Sequence, residues 1–242
     1  MCGRSSLTKT EKELEERFNA TFYSDELIQY NPLPNYNVAP SHVLPIISNQ
    51  DRNHFQAMRW GLIPFWAKDM KIGYKMINAR IETLFEKSSF KQAVSKRRCL
   101  VPADGFYEWK KVKNKEGKII KQPFRIITKD QDIFSMAGLW DRWTSPEGQL
   151  ILSFTVITQK PNKLMEDIHD RMPAILTKEQ EALWLSDDLA PKELVEMIQP
   201  YEAARMEAYE VDKKVGNVKN NGPDLIKKIR PDLSEDTLTL FD

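Results

Sequence analysis

The 242-residue chain is poor in the residues that build metal and disulfide sites, with two cysteines, Cys2 and Cys99, and three histidines, His42, His54 and His169. It has no CxxC and no HExxH, so a zinc site lacks its ligand framework and no metal is expected. Two thiols in so long a chain do not make a disulfide scaffold, which agrees with a reducing compartment; a lone Cys2–Cys99 bridge is the alternative. A GxxxxGK[ST] loop, a GxGxxG turn after a strand and a GxSxG elbow are also missing. Nucleoside-triphosphate, dinucleotide and serine-hydrolase chemistry therefore lose their usual signatures, and no cofactor is expected. No apolar run approaches the roughly 18 residues of a membrane span, and the N-terminus lacks the basic-then-apolar layout of a secretory signal. The expectation is a soluble, cytoplasmic monomer without membrane contact. Charge of one sign is missing too: 36 Lys plus Arg against 35 Asp plus Glu leave +1, so no global field draws the protein to DNA. Any nucleic-acid surface must be local.

What is present is an ordinary globular composition, 41% apolar with 9 Gly and 14 Pro, enough to bury a sizeable core. Residues 8–20 place Leu14 and Phe18 four apart among charges behind Thr8 or Thr10, the pattern of a capped surface helix. A Pro/Asn-rich loop covers 31–41, strands are expected at 43–48 and 54–60, and 81–94 is helical in part. The middle is dense in β signal, at 99–103, 105–112, 123–128, 133–140 and 150–158, with a charged Asn/Gly hairpin at 113–121. Helices return at 177–186 and at 191–199, the latter opened by Pro191, and 206–211 reads as a last strand. Runs of adjacent strands with helices before and after predict α+β, with a mainly antiparallel, barrel-like sheet. One domain is expected over 1–230, followed by a loosely held acidic tail at 231–242.

Chemistry starts at Cys2. A small second residue generally permits removal of Met1, which would leave a free α-amine beside a thiol. Their unperturbed pKa values, about 7.7–8.0 and about 8.5, make a useful fraction of each nucleophilic near neutrality. An amine and an aldehyde give an imine, and the neighbouring sulfur can close on the imine carbon as a five-membered thiazolidine. Three polar insertions supply context. In MINAR, Asn78 and Arg80 are two apart and share one face of an extended segment. In DGFYEW, Glu108 sits among aromatic residues, whose desolvation would raise its pKa and let it donate as well as accept a proton; a plain edge-strand Glu competes with that reading. In DIHDRMP, His169 is a loop imidazole suited to proton transfer near pH 7, although many loop histidines are merely solvated.

MCGR at the start, YNVAP (36–40), RWGLIPFWAKD (59–69), INAR (77–80), CLVPADGFYEWK (99–110), PFRI, FSMAGLW, FTVIT, IHDRMPAIL (168–176) and VGNVKNNGPDLI (215–226) occur in order over nearly the whole chain. Together they resemble the SOS response-associated peptidase (SRAP) family, the abasic-site processing proteins. The resemblance implies strands closing on a central groove and a role in shielding abasic sites in single-stranded DNA, with single-strand/duplex junctions as a further possible target. It implies that Cys2 becomes the N-terminus and forms the thiazolidine with the ring-opened sugar. Asn78 would position that terminus, Glu108 act as acid/base and His169 serve as the site imidazole. Arg4, Asn37, Pro40, Trp66, Arg80, Trp109, Thr158 and Arg171 fall at motif positions that would line the DNA groove. The hairpin at 113–121 is peripheral to the motifs.

Three rival activities stand beside this reading: thiol (auto)peptidase chemistry, an abasic-site lyase reaction through the imine, and non-covalent single-strand binding. TLTLF at Thr237–Phe241 resembles a peptide that docks on a replication sliding clamp, with Thr237 where Gln would stand. A loose tail with a few apolar residues is the simpler reading of it.

Overall fold

A computed structural model describes residues 2–23, 30–114 and 116–229. Met1, the expected tail at 231–242 and the Thr237–Phe241 peptide lie outside the described residues. The elements are β1 (Ser5–Leu7), α1 (Glu11–Phe18), β2 (Thr21–Phe22), β3 (Asn35–Val38), β4 (Val43–Ser48), β5 (Asp51–Trp60), β6 (Asn78–Arg80) and α2 (Ser88–Lys96). They continue with β7 (Arg98–Ala103), β8 (Gly105–Lys113), β9 (Ile119–Thr128), β10 (Phe134–Thr144), β11 (Leu150–Gln159), α3 (Lys163–Glu166), β12 (Met172–Pro173) and β13 (Ile175–Leu176). Last come α4 (Lys178–Leu185), α5 (Pro191–Glu196) and β14 (Met206–Glu210).

Strands β11, β10, β7, β4 and β5 pair in that order, and β5 returns to β11 in a parallel seam at Ser153↔Arg59 and Phe154↔Trp60. Five strands thereby close into a barrel that leaves few free edges. Long runs of buried side chains explain the closure, since β7 is buried at all six positions and β10 over its first eight. A second, antiparallel sheet in the order β14-β9-β8-β1-β3 lies beside the barrel. One contiguous buried cluster joins the two, running from Cys2, Leu7, Val38 and Phe106 to Leu139, Phe154 and Trp184.

α1 starts at Thr10, whose side chain caps the helix reciprocally with Glu13, and it buries Leu14 as its spacing predicts. α4 opens in the same way on Thr177 and Gln180. The partly helical stretch at 81–94 resolves into a short 3-10 turn, Ile81–Thr83, and then α2, which buries Phe90, Ala93 and Val94. Gly61 adopts a φ of 118°, and a Cβ there would stand 2.7 Å from the carbonyl oxygen of Gly73. That backbone contact pins the loop that leads into β6.

Candidate active site

β1 carries the N-terminal residues into the second sheet between β8 and β3, with Ser5 opposite both Phe106 and Val38. Asp104 anchors this short strand. Its carboxylate accepts from Ser6 Oγ at 2.6 Å, from the Thr8 backbone N–H at 2.7 Å and from Thr8 Oγ1, and it pairs with Arg125 at 3.0 Å. The Tyr107 N–H donates to the Arg4 carbonyl at 2.9 Å, which brings the terminal residues alongside Glu108.

Cys2 is fully buried, and Asn78 Nδ2 donates to its carbonyl oxygen at 2.8 Å. β6 delivers Asn78 by running parallel to β11, with Asn78 opposite Val156 and Arg80 opposite Thr158, while Ala79 turns into the core. The alternation expected for INAR is therefore the observed one. Asn78 Oδ1 is buried without a partner among the described residues.

Glu108 is 3% exposed, and burial pushes its carboxyl up to about 8, with the nearby Asp170 charge adding to the effect. His169 Nε2 lies 3.8 Å from Glu108 Oε2. On the other side of the ring, Nδ1 accepts from the Arg171 backbone N–H at 3.1 Å and lies 2.8 Å from Asp170 Oδ1. Burial depresses the His169 pKa, so the neutral ring dominates at pH 7, with Nδ1 set between the Arg171 N–H and the Asp170 carboxylate and Nε2 on the Glu108 side.

One expectation changes. The Cys2 thiol is held well above its ordinary range by burial and by the Glu108 charge, so at rest it is a thiol and not a partly ionised nucleophile. Any reaction at sulfur must hand its proton to a neighbour.

Two cavities flank these residues. One, about 770 Å³, is bordered by Glu108, Trp109 and His169. The other, about 520 Å³, is bordered by Asn78, Arg80, Thr158, Arg171, Lys75 and Lys87. Arg80, Thr158 and Arg171 border the second cavity, and Trp109 borders the first. Arg171 is also bound internally, to both carboxylate oxygens of Glu82 at 2.7 and 2.9 Å and to the Thr158 carbonyl at 2.6 Å.

Arg4 and Asn37 face inward. Asn37 is buried and its Nδ2 donates to the carbonyls of Val215, Asn217 and Asn220; its Oδ1 accepts from Arg4, which also donates to the carbonyls of Val215 and Gly216. Both side chains hold the 215–220 loop, which borders the first cavity through Gly216. Pro40 is half-buried, and Trp66 stands apart from both cavities on a loop where Phe65, Trp66 and Tyr74 are 56%, 48% and 61% exposed. Sequence reasoning missed Lys75 and Lys87, which no motif marks. It also set aside the 113–121 hairpin, whose root brings Lys121 to the first cavity beside Lys110 and Lys111.

A closed barrel with a side sheet, holding a buried second-residue cysteine whose carbonyl is bound by an amide near a carboxyl–imidazole pair, defines the class of protein. Within that class the chain belongs to the SOS response associated peptidase (SRAP) family, which matches residues 1–218. It is 49% identical over 229 residues to the Abasic site processing protein YoqW of Bacillus subtilis (strain 168), covering 94% of this chain and 99% of the relative. It is 36% identical over 250 residues to the Abasic site processing protein HMCES of Xenopus tropicalis, covering 86% of this chain and 72% of that one. Among solved structures, a protein from Bacteroides thetaiotaomicron superposes with a TM-score of 0.86 at 32% identity, covering 95% of this chain and all of the other. Among the described residues no helix is long and apolar enough to cross a membrane.

Proposed function

We propose that the protein recognises abasic sites in single-stranded DNA and, once Met1 is removed, captures them as a thiazolidine at Cys2. The observation that carries this reading is the grouping of the Asn78 amide on the buried Cys2 carbonyl with the Glu108–His169 pair, between two cavities. The relatives named above as abasic site processing proteins support the substrate class.

An abasic sugar is mostly a closed hemiacetal. Glu108, with its pKa near 8, is largely protonated at pH 7; on ring opening it gives its proton to the ring oxygen and takes back that of the anomeric hydroxyl, so it leaves the step protonated. The α-amine then adds to the aldehyde, and loss of water gives the imine, the leaving hydroxyl taking a proton from Glu108, which recovers one from the nitrogen, with the His169 ring beside it. Sulfur attacks the imine carbon, and the thiol proton ends on nitrogen by way of Glu108. The net reaction is aldehyde plus aminothiol giving thiazolidine plus water, with the thiol proton passed to nitrogen within it, so that no free thiolate has to accumulate. Asn78 holds the Cys2 carbonyl so that amine and sulfur point at one carbon. Arg80, Arg171, Lys75 and Lys87 offer positive charge to flanking phosphates, and the exposed Trp66 offers a ring for stacking.

Incubation with a single-stranded oligonucleotide bearing one abasic site should give a heat-resistant adduct, with the protein lacking Met1 by intact mass. Cys2→Ala should abolish the adduct, and its persistence in that variant removes Cys2 from the chemistry.

A further inference from the structure

The 770 Å³ cavity beside Glu108 and His169 has two walls of opposite charge. Lys110, Lys111 and Lys121 border it from the β8–β9 ribbon, Lys111 and its register partner Lys121 on one face and Lys110 on the other. Lys111 and Lys121 are exposed and Lys110 is half-buried, and none of the three is in an ion pair with a described carboxylate. The facing wall carries Glu166, Asp167 and Asp170, from the end of α3 and the loop that holds His169. Trp109 borders the space between them, with the Arg4 guanidinium 6.0 Å from its ring centroid.

A purely basic cavity would fit any polyanion. This one asks for a ligand with an anion on one side, a flat ring in the middle and hydrogen-bond donors on the far edge. A nucleotide has that layout. Its phosphate suits the lysines, its base suits Trp109, and the exocyclic amino groups of cytosine, adenine and guanine suit carboxylates. Thymine does not fit, because the N–H of its ring edge lies between two carbonyl oxygens that carboxylates repel.

Resting on the abasic-site reading above, the geometry points to this cavity as the subsite for the nucleotide next to the lesion, with its phosphate on the ribbon lysines and an amino-bearing base preferred over thymine. The root of the hairpin thereby becomes part of the DNA path. The carboxylates are solvated, which keeps the discrimination modest.

The test uses the full chain and oligonucleotides with one abasic site, varying the base on its 5′ side and then on its 3′ side, with adduct rates read at limiting protein. Guanine, cytosine and adenine should outpace thymine by about 3- to 10-fold on one of the two sides. Glu166→Gln with Asp167→Asn should bring the four neighbours to one rate; Asp170 is left intact because it touches His169. Lys110→Gln, Lys111→Gln and Lys121→Gln together should reduce the log–log salt slope of binding by ~0.7, the contribution of one phosphate contact on single strands. Equal rates for all neighbours on both sides, or an unchanged salt slope, overturns the subsite even while the Cys2-dependent adduct forms. Absence of that adduct with every oligonucleotide is the distinct failure of the parent reading.

Discussion

Glu108 shows how one buried carboxyl sets the pH behaviour of a site. An unfolded glutamate titrates near 4.3, whereas the folded one titrates at about 8 because burial penalises its charge. Between those values the folded chain keeps a proton that the unfolded chain has released. The stability this group supports is thus complete below pH ~4, declines as the pH rises and is lost once it passes about 8. Glu108→Gln removes the titration. The thermal midpoint of the native protein should therefore fall relative to Glu108→Gln between about pH 5 and pH 8.5, by an amount worth a few kcal/mol at most. Parallel midpoints over that range would mean that the carboxyl is not desolvated. In the same variant adduct formation should slow by about 10²-fold or more, the usual scale of a lost acid/base group. The native rate should decline above pH ~8, where the proton donor is gone.

At the scale of the element, β1 matters most, because three residues place the terminus. So short a strand has little pairing of its own, and the Asp104 carboxylate replaces what length does not supply. Removing one partner of a buried ion pair strands the other, here Arg125, at a cost of about 3–5 kcal/mol. Asp104→Ala is accordingly expected to lower stability by roughly that amount in denaturant titrations. The 2–7 segment should also exchange its amide hydrogens faster. Unchanged exchange there would show that sheet pairing alone holds the strand. Leu14 and Phe18 on α1 behave as their spacing predicts, Leu14 buried and Phe18 packed against the core. β3 falls inside the loop expected at 31–41, and β6 was legible only as an extended segment without a partner. Each is four residues or fewer with no room for a periodic pattern, and each exists because a neighbouring strand offers it an edge.

For the molecule as a whole, a net charge of +1 means that electrostatics act locally. Basic residues at the two cavities, Arg80, Arg171, Lys75 and Lys87 on one side and three lysines on the other, are offset by a net acidic remainder of the chain. Arg171 is partly neutralised by Glu82, and the acidic wall opposes the lysines. Non-covalent binding of single-stranded DNA should therefore show a shallow log–log salt slope, no steeper than about −4. A slope beyond about −6 would require a far larger basic surface than these cavities supply.

The sequence by itself determined the α+β class, the strand-rich middle and the capped start of α1. Alternation, caps and motif order are local signals that survive in one dimension. Tertiary structure alone decided three other matters. The barrel closes through a parallel seam between β5 and β11, strands separated by most of the central chain, and no local pattern encodes such a contact. The Cys2 thiol is protonated at rest because residues remote in sequence exclude water from it. Arg4 and Asn37 are turned inward to brace the 215–220 loop, and the hairpin lysines are brought beside Glu108. A side chain's partners depend on which distant segment folds against it, and that is a property of the packed chain.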